Sequence, residues 1–210
     1  MGAKFVMNSS VPVSYDVLKE EYKAYASPKD KIARLVSGGE LIRLKKGLFL
    51  PRPQKEENRY PYELIANILR GPSYVSLQTA LSYYGMIPER VFAIRSVTTK
   101  RSKIYQNQIG RFEYMHAKQD YFSIGIKSVL RDGVSFLIAS PEKAICDMIA
   151  GTAGLRIQSK KAMREYLEDD MRVDISMSCP ADLSVYDSVI ETGIKRREIE
   201  LLKEYHKNAG

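Results

Sequence analysis

The sequence predicts a mixed α/β fold: a small helix-and-hairpin head, then a larger domain in which helices and strands alternate. Three observations carry that reading. Apolar residues recur at helical spacing in two segments before residue 38. The pair Gly38-Gly39 then stops the second segment and leads into a short basic hairpin. Beyond a polar, proline-bearing stretch at 51–60, strand-like and helix-like patterns interleave through the rest of the 210 residues.

Taken in order, residues 1–14 make a poor helix, and Val11-Pro12-Val13 suits an extended strand or arm. Residues 15–25, with Tyr15, Leu18 and Tyr22 among charges, read as a short amphipathic helix. Ser27-Pro28-Lys29-Asp30 is a start signal: a hydroxyl for the free backbone N–H groups, proline at the first helical position and an acid in the first turn. The helix that follows turns Ile32, Leu35 and Val36 inward and ends at Gly38-Gly39, where a left-handed backbone is cheap. Leu41–Leu44 and Leu48–Leu50 are the strands of a hairpin around Lys45-Lys46-Gly47, closed by Pro51. A boundary near residue 58 divides a head, 1–58, from a larger part, 59–210, and each is expected to bury a core of its own. In the larger part 62–69 and 76–84 read as helices, the second with Ser76 as capping residue. Segments 91–98, 111–115 and 134–139 read as strands. Pro141 opens a helix with Ile145, Met148 and Ile149 inward, and 195–207 is a charged helix with Ile199 and Leu202 as its apolar stripe.

Composition bounds the function. The chain carries 33 Lys+Arg against 25 Asp+Glu, a net charge of +8, and the excess lies in residues 1–150. Such a balance favours a polyanionic partner. No apolar run approaches the roughly 20 residues that span a bilayer. The N-terminus is too short and polar for a secretory signal, so the expected compartment is the cytoplasm, with no membrane partner. Cys146 and Cys179 stand apart, and Cys146, in an apolar helical pattern, is expected to be a buried free thiol.

The order helix, turn, helix, Gly-Gly, basic hairpin is that of a winged helix-turn-helix, which points to double-stranded DNA. A recognition helix buries one face against its partner helix and turns the other into the major groove. Here that outer or lateral face carries Lys29, Lys31, Arg34 and Ser37, behind the capping Ser27. The hairpin lays Arg43, Lys45 and Lys46 over the adjacent backbone, where cations displace condensed counterions. Arg34 suits a bidentate contact to guanine; alternatively it pairs with Asp30, four residues earlier. Lys45 and Lys46 suit phosphate contacts, which position without specifying.

Several chemistries lack their residues. Gly38-Gly39 has no following Gly-Lys-Ser/Thr and closes a helix rather than opening one, so it is no phosphate loop. His116 and His206 show no metal-ligand spacing, and no nucleophile elbow is present. Adjacent acids Glu168-Asp169-Asp170 point in different directions and read as a solvated helix end. Neither enzymatic activity, nor a metal site, nor a cofactor is expected.

Residues 30–39 and 42–49 resemble the N-terminal winged helix of AbiEi-type antitoxins, the transcriptional regulators of type IV toxin–antitoxin systems that act in phage defence. Further blocks resemble that family in the same order: Gly71-Pro72-Ser73-Tyr74-Val75-Ser76-Leu77, Ala80 to Glu89, Ser96 to Arg101, and Ala139-Ser140-Pro141-Glu142-Lys143-Ala144. The resemblance covers residues 15–150. It implies a DNA-binding head that represses its own operon and a larger α/β domain carrying antitoxicity. The toxin it implies is a nucleotidyltransferase, opposed without a stable complex. A stand-alone regulator, or a winged module that binds a protein, is the alternative. A second basic run, Arg95, Lys100, Arg101 and Lys103, either extends the DNA-binding surface, supplies the antitoxic surface, or is simply solvated.

Overall fold

The computed structural model describes residues 11–52, 60–178 and 180–209. Residues 1–10, 53–59 within the polar stretch at 51–60, Cys179 and Gly210 lie outside the described residues. The fold is mixed α/β.

The first part begins with strand β1 (Val13–Ser14), helix α1 (Tyr15–Glu21) and helix α2 (Pro28–Ser37). Both helices are capped as serine permits: Ser14 Oγ accepts from the Val17 N–H and Ser27 Oγ from the Asp30 N–H, each at 3.3 Å. α2 stops because the Gly38 N–H returns to the Arg34 carbonyl at 2.8 Å and Gly39 takes φ +76°, a conformation a side chain would strain. Strands β2 (Leu41–Lys45) and β3 (Leu48–Pro51) follow, with an irregularity between Arg43 and Lys45. The three strands form a sheet in the order β1-β3-β2.

Alternation along this sheet sends its side chains to two different cores. Leu41 and Phe49 pack with Leu18, Tyr22, Ile32 and Leu35 of the helix pair. Ile42, Leu44, Leu48 and Leu50 belong to the main core of the remaining chain. The expectation of two separately buried cores therefore meets a different packing: the hairpin is shared between them. Its sequence shows why, since six of the seven residues at 41–44 and 48–50 are apolar, four of them leucine, so both faces are apolar.

The larger part runs α3 (Tyr62–Leu69), β4 (Ser73–Val75), α4 (Leu77–Tyr83), β5 (Ala93–Thr98), β6 (Lys103–Asn107), β7 (Gly110–His116), α5 (Gln119–Phe122), β8 (Ile126–Arg131), β9 (Val134–Ala139) and α6 (Pro141–Gly151). Helix α7 (Lys160–Glu165) leads into a wide turn at Tyr166–Asp170; a short turn at Ile175–Ser178, α8 (Leu183–Glu191) and α9 (Arg196–Ala209) complete it. Six strands form one mixed sheet in the order β6-β7-β5-β4-β9-β8. β4/β9 and β5/β7 are parallel; the other pairs are antiparallel. Helix α3 lies on one face, where Tyr114 donates to the Ala66 carbonyl at 2.7 Å. Helix α6 lies on the other, where Tyr74 reaches Asp147.

Three strands, β4, β6 and β8, were not anticipated, and the strand expected at 91–98 begins at Ala93. Ser76 precedes α4 but does not cap it. Its hydroxyl donates instead to Asp147 at 2.6 Å, and Leu77 takes φ +56° to start the helix. No helix among the described residues is long and apolar enough to cross a membrane.

Candidate nucleic-acid interface

Helix α2 presents a polar face because its apolar residues fall at i, i+3 and i+4. Ile32 and Leu35 are buried, Val36 is half-buried, and Lys29, Asp30, Ala33, Arg34 and Ser37 are exposed. The side chains expected to meet DNA divide by what holds them. Ser27 is the helix cap. Ser37 Oγ donates back to the Arg34 carbonyl at 3.0 Å. Lys31 is half-buried, its Nζ 5.4 Å from the Tyr25 ring centre and 6.0 Å from that of Tyr22. Arg34 is exposed; its contact with Asp30 runs from Nε to the backbone carbonyl at 3.4 Å, and among the described residues no carboxylate pairs with it.

On the hairpin, Arg43 is exposed on the sheet face that carries the helix pair, its guanidinium 5.6 Å from the centre of the Phe49 ring. Lys46 is exposed at the turn, beside Gly47 with φ +77°. Lys45 is different. It is half-buried and its Nζ donates at 2.7 Å to the carbonyl of Leu69, at the C-terminal end of α3. There the ammonium meets an unsatisfied helix carbonyl and the negative end of the helix dipole. Asn107 of β6 adds a contact at 3.4 Å to the Leu44 carbonyl. The hairpin is thus bound to the larger part through side chains as well as through its apolar face.

The second basic run splits. Arg95 stands on the α6 face of the sheet, its Nε 3.0 Å from Glu113 and its Nη1 2.8 Å from the Gln78 side-chain oxygen. It lines a cleft of about 680 Å³ with Leu77, Met115, Met148, Gly151 and Thr152. Lys100, Arg101 and Lys103 are exposed at the β5–β6 turn. They lie beside Arg70, which sequence reasoning missed. Arg70 donates to the Tyr105 hydroxyl at 3.3 Å and to the Arg101 carbonyl, while Lys100 Nζ donates to the carbonyl of Gly71. Nothing in the sequence spacing announced that neighbourhood, because it joins two loops about thirty residues apart.

A second polar cluster is fully enclosed. On α6, Lys143 and Asp147 are both at zero exposure and their charged groups lie 3.1 Å apart. Lys143 Nζ also donates to the Tyr121 carbonyl at 3.1 Å, and Asp147 accepts from Ser76 and, at 3.4 Å, from Tyr74. Burial holds the Lys143 pKa below its usual value, against the pull of Asp147. Burial likewise pushes the Cys146 thiol up, and that residue is the buried free cysteine expected. The i, i+4 spacing of Lys143 and Asp147 was the readable signal for the pair. The sequence reading placed Ile145, Cys146, Met148 and Ile149 inward and did not place the charged pair there. Glu168, Asp169 and Asp170 are exposed, and Tyr205 donates to Glu168 at 2.5 Å. His116 is exposed, with Nδ1 3.2 Å from the Lys100 carbonyl.

Set against known proteins, the chain matches no protein-family model, and no curated sequence is similar to it.

Proposed function

We propose that the chain is a DNA-binding transcriptional regulator that reads duplex DNA with α2 and the β2–β3 hairpin. The observation that carries this reading is the set Lys29, Arg34, Arg43 and Lys46. All four are exposed, and none has a carboxylate partner among the described residues. Unpaired cations gathered on a helix and the hairpin behind it suit a phosphate backbone. A winged helix-turn-helix is supported by the helix pair lying between β1 and β2 and by the sheet order β1-β3-β2. A protein-binding module would be expected to expose large apolar anchors on α2, and the exposed residues there are polar or small.

The finer reading is that the protein represses its own operon and opposes a nucleotidyltransferase toxin without a stable complex. It rests on the resemblance of the ordered blocks between residues 15 and 150 to AbiEi-type antitoxins. Two measurements test these levels separately. Fluorescence anisotropy with duplexes from upstream of the reading frame should show saturable binding that outcompetes random DNA. Arg34→Ala should weaken that specific binding by about 1–3 kcal/mol and non-specific binding much less. Equal losses would make Arg34 a backbone contact, and binding no tighter than to random DNA would remove the operon reading. For antitoxicity, co-expression with a nucleotidyltransferase encoded beside the gene should restore growth; no rescue by soluble protein would remove that assignment alone.

A further inference from the structure

We infer that the duplex-binding surface continues from the hairpin onto the larger part, across Arg70, Lys100, Arg101 and Lys103, and takes the phosphate backbone flanking the head's own site. The inference rests on the head being DNA-binding. Its geometry is independent of that reading. The β2–β3 sheet has the helix pair on one face and the larger part on the other, with Lys46 at the turn between. Lys45 ends at the Leu69 carbonyl, and Arg70 is the next residue. Arg70 reaches the Arg101 carbonyl and Lys100 reaches Gly71, so the α3–β4 and β5–β6 loops are laced together by two cations. These two loops therefore follow the hairpin on the side of its sheet away from α2, next to the end of α3 that Lys45 reaches.

The charge of this strip is uncompensated. Arg70, Lys100, Arg101 and Lys103 have no carboxylate partner among the described residues, and their contacts are to backbone carbonyls, a phenol and, for Lys103, the Tyr105 ring at 5.2 Å. Neutral acceptors leave the full positive charge in place. Other cations of this part are paired: Arg95, Arg111, Arg131, Arg172, Arg196 and Lys203 each meet an acid. A backbone laid across α2 and the hairpin turn meets this strip as it continues. Phosphates bound there would add affinity and salt dependence without adding sequence preference.

The test uses the full chain and a fluorescein-labelled random duplex of about 30 base pairs, titrated between about 50 and 200 mM salt. Arg101→Ala with Lys103→Ala removes two exposed side chains that anchor no loop. The slope of log K against log salt should fall by about 1.8, so wild type loses about tenfold more affinity than this variant across that range. Lys127→Ala with Lys207→Ala, on the opposite edge strand and the last helix, serves as control and should leave the slope unchanged. A head variant, Arg34→Ala with Lys46→Ala, separates the two claims. A reduced slope for the head variant and an unchanged slope for the Arg101/Lys103 variant overturns this inference and leaves the head reading intact. A head variant that binds like wild type overturns the head reading, and this inference with it. Equal slope losses in the Lys127/Lys207 control overturn the inference too, since any surface cation would then serve.

Discussion

Lys45 and Lys46 are neighbours in sequence with different partners, and substitution should separate them. Lys45 closes the end of α3, so Lys45→Met removes a charge-assisted hydrogen bond. Allowing for its partial exposure, about 1 kcal/mol of stability should go, a fall in Tm of about 2–4 °C by calorimetry. Lys46→Ala should leave Tm unchanged and lower the salt slope of DNA binding by about 0.9. A Lys45 variant that melts like wild type would show that the Leu69 contact adds nothing. The Lys143–Asp147 pair makes a sharper case, because neither group reaches water. Lys143→Met leaves the Asp147 carboxylate enclosed and uncompensated, at a cost of about 3–5 kcal/mol in urea denaturation. Adding Asp147→Leu should recover part of that loss. If the double variant is less stable than Lys143→Met alone, the penalty does not arise from the stranded charge.

Among the elements, α9 carries a buried ring that ties it to its neighbours. His206 is buried; its Nδ1 lies 2.6 Å from the Tyr186 hydroxyl of α8 and its Nε2 3.1 Å from Ser178 Oγ. Burial lowers its pKa below 6.5, with Glu142 opposing. The unfolded chain therefore takes up this proton at a higher pH than the native one does. Stability from the neutral ring is complete above about pH 6.5 and falls as the solution is acidified toward the lowered native pKa. Urea midpoints should drop between about pH 7 and pH 5.5. His206→Gln should flatten that window; a midpoint already flat in wild type would discount the ring. The sequence announced α9 and its buried Ile199 and Leu202 through plain helical periodicity. It announced α2 through Ser27 and Pro28, and the hairpin through Gly47. It did not announce β6 and β8, which are edge strands with Lys103, Gln106, Lys127 and Ser128 toward water, nor β4, whose three residues are too few to show a period. Of the candidate site, exposure of Lys29, Arg34 and Lys46 followed from helix and turn geometry. The tie of Lys45 to Leu69 and the neighbourhood of Arg70 with Arg101 did not, because both depend on tertiary approach.

At the scale of the whole molecule, the shared hairpin decides how truncation behaves. A fragment of residues 60–210 loses Ile42, Leu44, Leu48 and Leu50 from its main core, together with the hydrogen bonds of Lys45 and Asn107. It should melt well below the full chain and bind a hydrophobic dye that the full chain does not. Equal melting temperatures would show that the two parts are energetically separate after all. The six-stranded sheet carries a further consequence at its β8 edge. Leu130 is 73% exposed there and Leu137, diagonal to it on β9, 42%. An open ladder beside two bare leucines is a template onto which another copy could stack, and from which fibrillar deposits could grow. Lys127 sits exposed on that same strand with no carboxylate partner among the described residues, and repulsion between the Lys127 charges of two copies opposes that stacking. Salt that screens those charges weakens that opposition before anything in the core has changed.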